Sequence, residues 1–209
     1  MSVSTYSERK LIDALRQFET LLLAPEEARH VPRLLADCGV RFIVVERLPK
    51  ANIDGVCFWM AESPVIGMSM QRDKIDNFWF VLRHECEHVL RRDGRTDEVI
   101  DFTLTGEAAS ETSTSIPEQE RIANAAAANF CVPAAQMISF IERKHPFYSE
   151  RDMLAFARVQ RRHPGIAIGQ FQRRTERWDY LTRYLVKMRQ FVTPYAITDG
   201  WGKTVPLSL

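Results

Sequence analysis

Nothing in this 209-residue sequence is long and apolar enough to cross a membrane as a helix. Met1–Lys10 is polar and lacks the apolar core of a secretory signal. Neither sign of charge dominates: 28 Lys and Arg against 27 Asp and Glu leave a formal net charge of +1. Overall electrostatics therefore point to no polyanionic partner. Cysteine is sparse. Cys38, Cys57, Cys86 and Cys131 are scattered through apolar surroundings with no C-x-x-C pair, so they read as buried free thiols in a reducing cytoplasm. No internal repeat is present. The length suits one domain with a substantial core, or one domain with extensions.

What is present is concentrated in residues 84–88, His-Glu-Cys-Glu-His. His84 and His88 are four apart, which on a helix puts both imidazoles on one face, within reach of one metal ion. Glu85 stands beside the first, where a carboxylate can take a proton from an activated water. This is H-E-x-x-H, the pattern of zinc-dependent peptidases. Ile75, Phe78, Trp79, Val81 and Leu82 before it, and Val89 and Leu90 after it, recur at spacings of three and four and predict a buried helix. Asp73 or Asp76 is the candidate cap, and Arg91-Arg92-Asp93-Gly94 marks the end. Cys86, between the histidines, lacks the spacing of a ligand and reads as structural.

Catalytic zinc usually has three protein ligands and one open position, so a third ligand is expected elsewhere. Glu120 is the favoured candidate, near the start of a helix that Ser115 caps and Pro117 opens, with an alanine-rich continuation from Ala123 through Ala128. Asn124 shares its face and is the expected hydrogen-bond partner of His84 or His88. Glu118 near the same helix start, and Asp97, Glu98, Asp101, Glu107 and Glu111 in the connecting segment, are rivals for the third position. A Glu-rich helix start also suits the helix dipole without any metal.

Along the chain, Leu11, Leu15, Phe18 and Leu22 make a helical stripe, and a second helix runs to about Asp37. Three strand-like runs follow, Phe42–Val45, Gly55–Met60 and Pro64–Met70, and predict a small antiparallel sheet beside the metal helix. Residues 93–117 are polar and read as a surface loop. Helical patterns dominate after Pro133, with stripes at Met137, Ile138 and Ile141 and at Met153, Leu154, Phe156 and Ala157. A last helix is expected through Trp178, Leu181, Leu185 and Met188. The basic run from Arg158 to Arg189 reads as a solvated face, with nucleic-acid binding as the sharper alternative. His163 reads either as a donor to an oxyanion or as a turn histidine with a structural hydrogen bond. His30 and His145 read as surface residues.

The motifs also carry a resemblance. H-E-x-x-H followed by Glu120-Arg121-Ile122-Ala123-Asn124 resembles the E-x-x-A-[ND] arrangement of gluzincin peptidases. Asn77-Phe78-Trp79-Phe80, Phe130-Cys131-Val132-Pro133 and His163–Gly169 are similar to the ImmA/IrrE-type metallopeptidase domain, over roughly residues 35–190. The versions fused to HigA-like helix-turn-helix antitoxins look nearest. The resemblance implies a zincin-like fold, Zn2+ held by His84, His88 and Glu120, Glu85 as general base, and cleavage of a protein such as a DNA-binding repressor or antitoxin. It also implies an edge strand that takes substrate as an added strand, for which the run ending near Met70 is the candidate; an ordinary sheet strand is the alternative. The chain departs from the pattern at Ile122, where many members carry Glu or Gln, and its first residues are too few for the helix-turn-helix.

The expectation is thus an α+β, mostly helical domain with a small, mainly antiparallel three-stranded sheet. Residues 1–37 form N-terminal helices, 38–192 the zincin-like domain and 193–209 an irregular tail. The expected activity is that of a zinc-dependent endopeptidase. The alternatives are a catalytically silent regulatory module that binds without cutting, and a nucleic-acid-binding accessory protein.

Overall fold

The structure, a computed structural model, describes residues 4–45, 52–95, 99–102 and 117–198, the last strand before residue 117 by its backbone only. Helix α1 (Glu8–Leu21) starts at Ser7, whose side chain accepts from the Lys10 amide. A 3-10 turn (Pro25–His30) leads into α2 (Val31–Asp37), which ends at Cys38 with Gly39 at positive φ just beyond. The chain then forms β1 (Arg41–Val44), β2 (Ile53–Met60) and β3 (Ser63–Met68) before the long helix α3 (Ile75–Arg91). After it come β4 (Val99–Phe102), α4 (Glu118–Cys131), α5 (Ala134–Lys144), α6 (Glu150–Val159) and α7 (Pro164–Thr175). A short α8 (Arg189–Val192) and the two-residue β5 (Ile197–Thr198) close the described chain.

The α+β class agrees with the expectation, but the sheet differs. It has five strands in the order β4-β2-β3-β1-β5 and is mixed. β2 pairs antiparallel with β3 and β4, whereas β1 runs parallel to both β3 and β5. The three expected runs are all strands. The additions are β4, inside the segment expected as a polar loop, and β5, inside the expected irregular tail. Both are too short for hydrophobic alternation to declare them, and pairing with a strand already in place is what orders them.

This order has a consequence for substrate. β3 is hydrogen-bonded on both sides, with Val65 opposite both Arg41 and Phe58. It therefore has no open edge and cannot receive an added strand, which corrects the expectation for the run ending near Met70.

Two apolar clusters hold the elements together. The larger joins α1, α2, the sheet, α3 and part of α4, with Trp79 fully buried between Phe18, Phe78 and Phe130. Each such side chain contributes about 1.5–3 kcal/mol by leaving water. The N-terminal helices are thus built into the same core as α3. The smaller cluster, centred on Phe140, Phe156 and Phe171, joins α5, α6 and α7. The expected last helix through Trp178–Met188 is instead a set of turns with one 3-10 turn (Thr182–Tyr184), and Leu181 has positive φ. Side chains from elsewhere hold this backbone: Gln172 donates to the Tyr180 carbonyl, and Asp73 accepts from the Met188 and Arg189 amides. Asp73 therefore caps α8 and not α3, whose N-cap residue Lys74 makes no side-chain capping bond.

Candidate metal centre

α3 is buried along most of its length and packs against the sheet, α4 and α7. On α4, Glu120, Ala123 and Ala127 lie at spacings of three and four and so share a face. The two alanines are fully buried, and their small side chains let the helices approach closely enough for the glutamate to reach the histidines.

The ligating atoms converge. His84 Nε2 and His88 Nε2 are 2.9 Å apart. Glu120 brings Oε2 to 3.2 Å from the first and Oε1 to 3.4 Å from the second. One ligand atom from each of the three residues lies within 4.8 Å of the others, close enough to bind a single metal ion. A four-coordinate ion with nitrogen and oxygen ligands at about 2.0–2.2 Å separates those ligands by about 3.3 Å; one Glu120 oxygen lies near that spacing from each histidine, and the two Nε2 atoms stand closer, at 2.9 Å.

The protonation pattern fits a cation too. His88 Nδ1 lies 2.9 Å from Asp93 Oδ2. An ionised carboxylate only accepts, so Nδ1 carries the proton and Nε2 presents its lone pair to the centre. That lone pair faces the Glu120 carboxylate, a second acceptor, and a shared cation satisfies both.

Sequence spacing marks Asp93 only as part of the helix end. Its placement follows from the turn that ends α3. Arg92 is in the left-handed region with its amide on the His88 carbonyl, and Gly94 has φ 76°. A Cβ at Gly94 would lie 2.6 Å from the Cys57 carbonyl oxygen, so glycine is required for this approach. Trp59 on β2 secures the turn: its indole donates to the Asp93 carbonyl at 2.9 Å and its amide to the Gly94 carbonyl at 3.2 Å. The signal available in the sequence was a carboxylate five residues after the second histidine, just past the helix C-terminus.

Glu85 is fully buried. One residue along from His84 it points about 100° around the helix, toward β2, where its carboxylate lies against Gly55. A Cβ built there would fall 1.9 Å from Glu85 Oε1. Asn124, half-buried on α4, makes no hydrogen bond to either imidazole among the described residues, so the expectation that it orients a histidine is corrected in favour of Asp93 for His88. Ile122 is rotated about 200° around α4 from Glu120, so a ligand at that position would face away from the histidines in this register. Among the rivals, Glu118 is exposed and paired with Arg121. Asp101 is described by its backbone alone, and Asp97, Glu98, Glu107, Glu111 and the expected cap Ser115 lie outside the described residues.

His163 is the N-cap residue of α7. Its Nδ1 accepts from the Gly165 amide at 3.1 Å, its own amide donates to the Leu22 carbonyl, and burial lowers its pKa. It is a structural turn histidine. His30 and His145 are exposed, as expected. No helix among the described residues is long and apolar enough to cross a membrane. Set against protein-family models the chain matches none, and set against curated proteins it finds no match.

Proposed function

We propose that this chain is a zinc-dependent endopeptidase of the ImmA/IrrE type, acting in a reducing cytoplasm on a protein such as a DNA-binding repressor or antitoxin. The observation that carries the reading is the convergence of His84, His88 and Glu120 on one point, with His88 held in its ligating tautomer by Asp93. Two histidines and one carboxylate are the ligand set of catalytic zinc in several peptidases, and they leave a position open. The sequence resemblance supports the same reading, and the substrate class rests on it alone.

A zinc ion bound there supplies Lewis acidity, which acidifies a water molecule and polarises a carbonyl. The chain's own groups do the rest. Glu85 accepts the proton of the attacking water and returns it to the departing amine. The buried surroundings of Glu85 keep competing solvent away from that carboxylate. Asp93 keeps the His88 ring fixed while charge builds at the centre.

The nucleic-acid alternative loses ground because many of the basic residues are engaged within the chain. Arg162 donates to the Phe130 and Cys131 carbonyls, Arg189 to Ser69, and Arg183 pairs with Glu150.

The test uses the purified protein, its Glu85→Gln variant and any repressor encoded beside it. Elemental analysis is expected to find stoichiometric zinc in both proteins, and only the wild type is expected to cleave, with turnover at least about 100-fold above the variant. Absence of stoichiometric metal refutes the metal-centre reading. Metal with partner binding but no cleavage selects the silent regulatory module.

A further inference from the structure

His88 is oriented by a carboxylate, and the contacts around His84 reveal a different device. On α3, Asp76, Phe80 and His84 are spaced four apart and form one stripe. α7 lies across this stripe. Its Gly169 comes so close to Asp76 that an added Cβ would fall 2.2 Å from Asp76 Oδ2. One turn further along α7, Arg173 sits over the Phe80 ring with Cζ 3.9 Å from the centroid. Phe80 in turn stacks on the His84 imidazole, with centroids 6.3 Å apart and planes 28° from parallel. Both spacings are within the range of attractive cation–π and stacked-ring contacts.

We infer that Arg173 is a positioning residue for the metal centre: clamped over Phe80, it holds that ring against His84 and fixes the angle at which Nε2 meets the ion.

This rests on the metal-centre reading above and deepens it. Three observations favour a clamp over a general packing role. Arg173 Nε is buried and donates to no described residue, and the guanidinium contacts the face of the Phe80 ring. Asp76 lies on the same α3 stripe, close to α7. Burial pushes its carboxyl up and the Arg173 guanidinium down, and the attraction between the two opposes both shifts. Finally, Arg173 belongs to α7, whose Phe171 lies at the centre of the smaller core cluster. The clamp therefore ties the α5–α7 layer to a ligand on α3.

The test measures metal binding, independent of turnover. Dissociation constants for zinc come from chelator competition, and the visible spectrum of the cobalt(II)-loaded protein reports ligand geometry. Arg173→Met keeps the stem and removes the charge. It is expected to weaken zinc binding about tenfold, the lower end for a group that orients a metal ligand, and to shift the cobalt bands. Arg173→Lys keeps a cation over the ring and is expected to recover part of the affinity. Phe80→Leu is expected to reproduce the loss, and adding Arg173→Met to it should then cost little more, because both act through one contact. Unchanged zinc affinity and cobalt spectrum in both Arg173→Met and Phe80→Leu overturn the inference, even where melting temperatures fall. Should Arg173→Met fail to fold, Phe80→Leu and Arg173→Lys decide the matter by the same two readouts. Wild-type protein that binds no stoichiometric metal, or His84→Ala that binds it as tightly, refutes the metal centre itself and the clamp with it.

Discussion

Asp93 Oδ2 stands 2.9 Å from His88 Nδ1, held there by a turn whose backbone is tied to Trp59. The carboxylate sets which nitrogen of His88 carries the proton, and hence whether Nε2 can donate electrons to a metal. Asp93→Ala is expected to weaken metal binding by about 10- to 100-fold. Asp93→Asn, whose side-chain oxygen still accepts from Nδ1–H, should lose less. Chelator competition on the two variants checks the order, and equal affinities for Asp93→Ala and wild type would falsify the role.

Gly55 and Glu85 form the second relationship with a sharp consequence. The glycine is needed for space, since its φ is unremarkable and an added Cβ would fall 1.9 Å from the carboxylate oxygen. Gly55→Ala is expected to push the Glu85 carboxylate out of place. Overpacking of this kind costs about 1–3 kcal/mol of stability. Metal binding should persist, because the atoms nearest an added Cβ belong to Glu85 and Val81 and not to His84, His88 or Glu120, while turnover on a cleavable substrate should fall at least about tenfold if Glu85 is the base. Zinc content and rate measured on one preparation separate the two effects.

Glu120 is the candidate third ligand that sequence spacing alone left open, and it offers a direct test. Glu120→Gln preserves shape but removes the charge opposite His84 Nε2 and His88 Nε2. Zinc affinity is expected to fall sharply, since a neutral amide is a far poorer ligand than a carboxylate. Retention of wild-type zinc occupancy under chelator competition would point to a ligand from another segment.

Helix α3 was legible because it carries its own evidence: apolar spacing, a motif with the right period and a C-terminal stop within one segment. Glu120 was legible for a similar reason, as a carboxylate on a helix with small residues on the same face. Asp93 is not legible in the sequence, because its role depends on a tertiary contact, the Trp59 indole holding the turn. The sheet order was not legible either. Local alternation shows that residues 64–70 favour a strand, but not that β1 returns parallel on its far side and closes the edge. The same holds for Trp178–Met188, where the spacing suggests a helix but Asp73, 115 residues away, takes the Met188 amide.

His163 predicts a pH effect on stability. Burial lowers its pKa in the folded state, so between that value and the unfolded value near 6.5 the unfolded chain binds more protons. Stability therefore rises with pH through that window and is lost as pH falls below about 6.5. Protonation also removes the lone pair that accepts from the Gly165 amide. In His163→Asn, which keeps an N-cap acceptor, the loss of melting temperature between about pH 6.5 and pH 5 should be smaller than in wild type. Parallel melting curves across that range check it.

The four cysteines give the last prediction. All are buried thiols outside any disulfide among the described residues. Burial pushes the thiols of Cys86 and Cys131 up to about 12 and that of Cys38 up to about 11. Only the thiolate attacks, so at pH 8 these sulfurs carry almost no reactive form and are sterically closed as well. The folded protein is expected to react with an aromatic disulfide reagent only as fast as it opens, and all four thiols should react at once in denaturant. Cys86 makes this informative about the metal helix, because it lies between His84 and His88 on α3. If metal stabilises that helix, adding zinc should slow the labelling of Cys86 further, by the factor that binding adds to folding stability. Labelling of Cys86 at the same rate with and without zinc, in a protein that binds zinc, would mean the helix opens without releasing the ion.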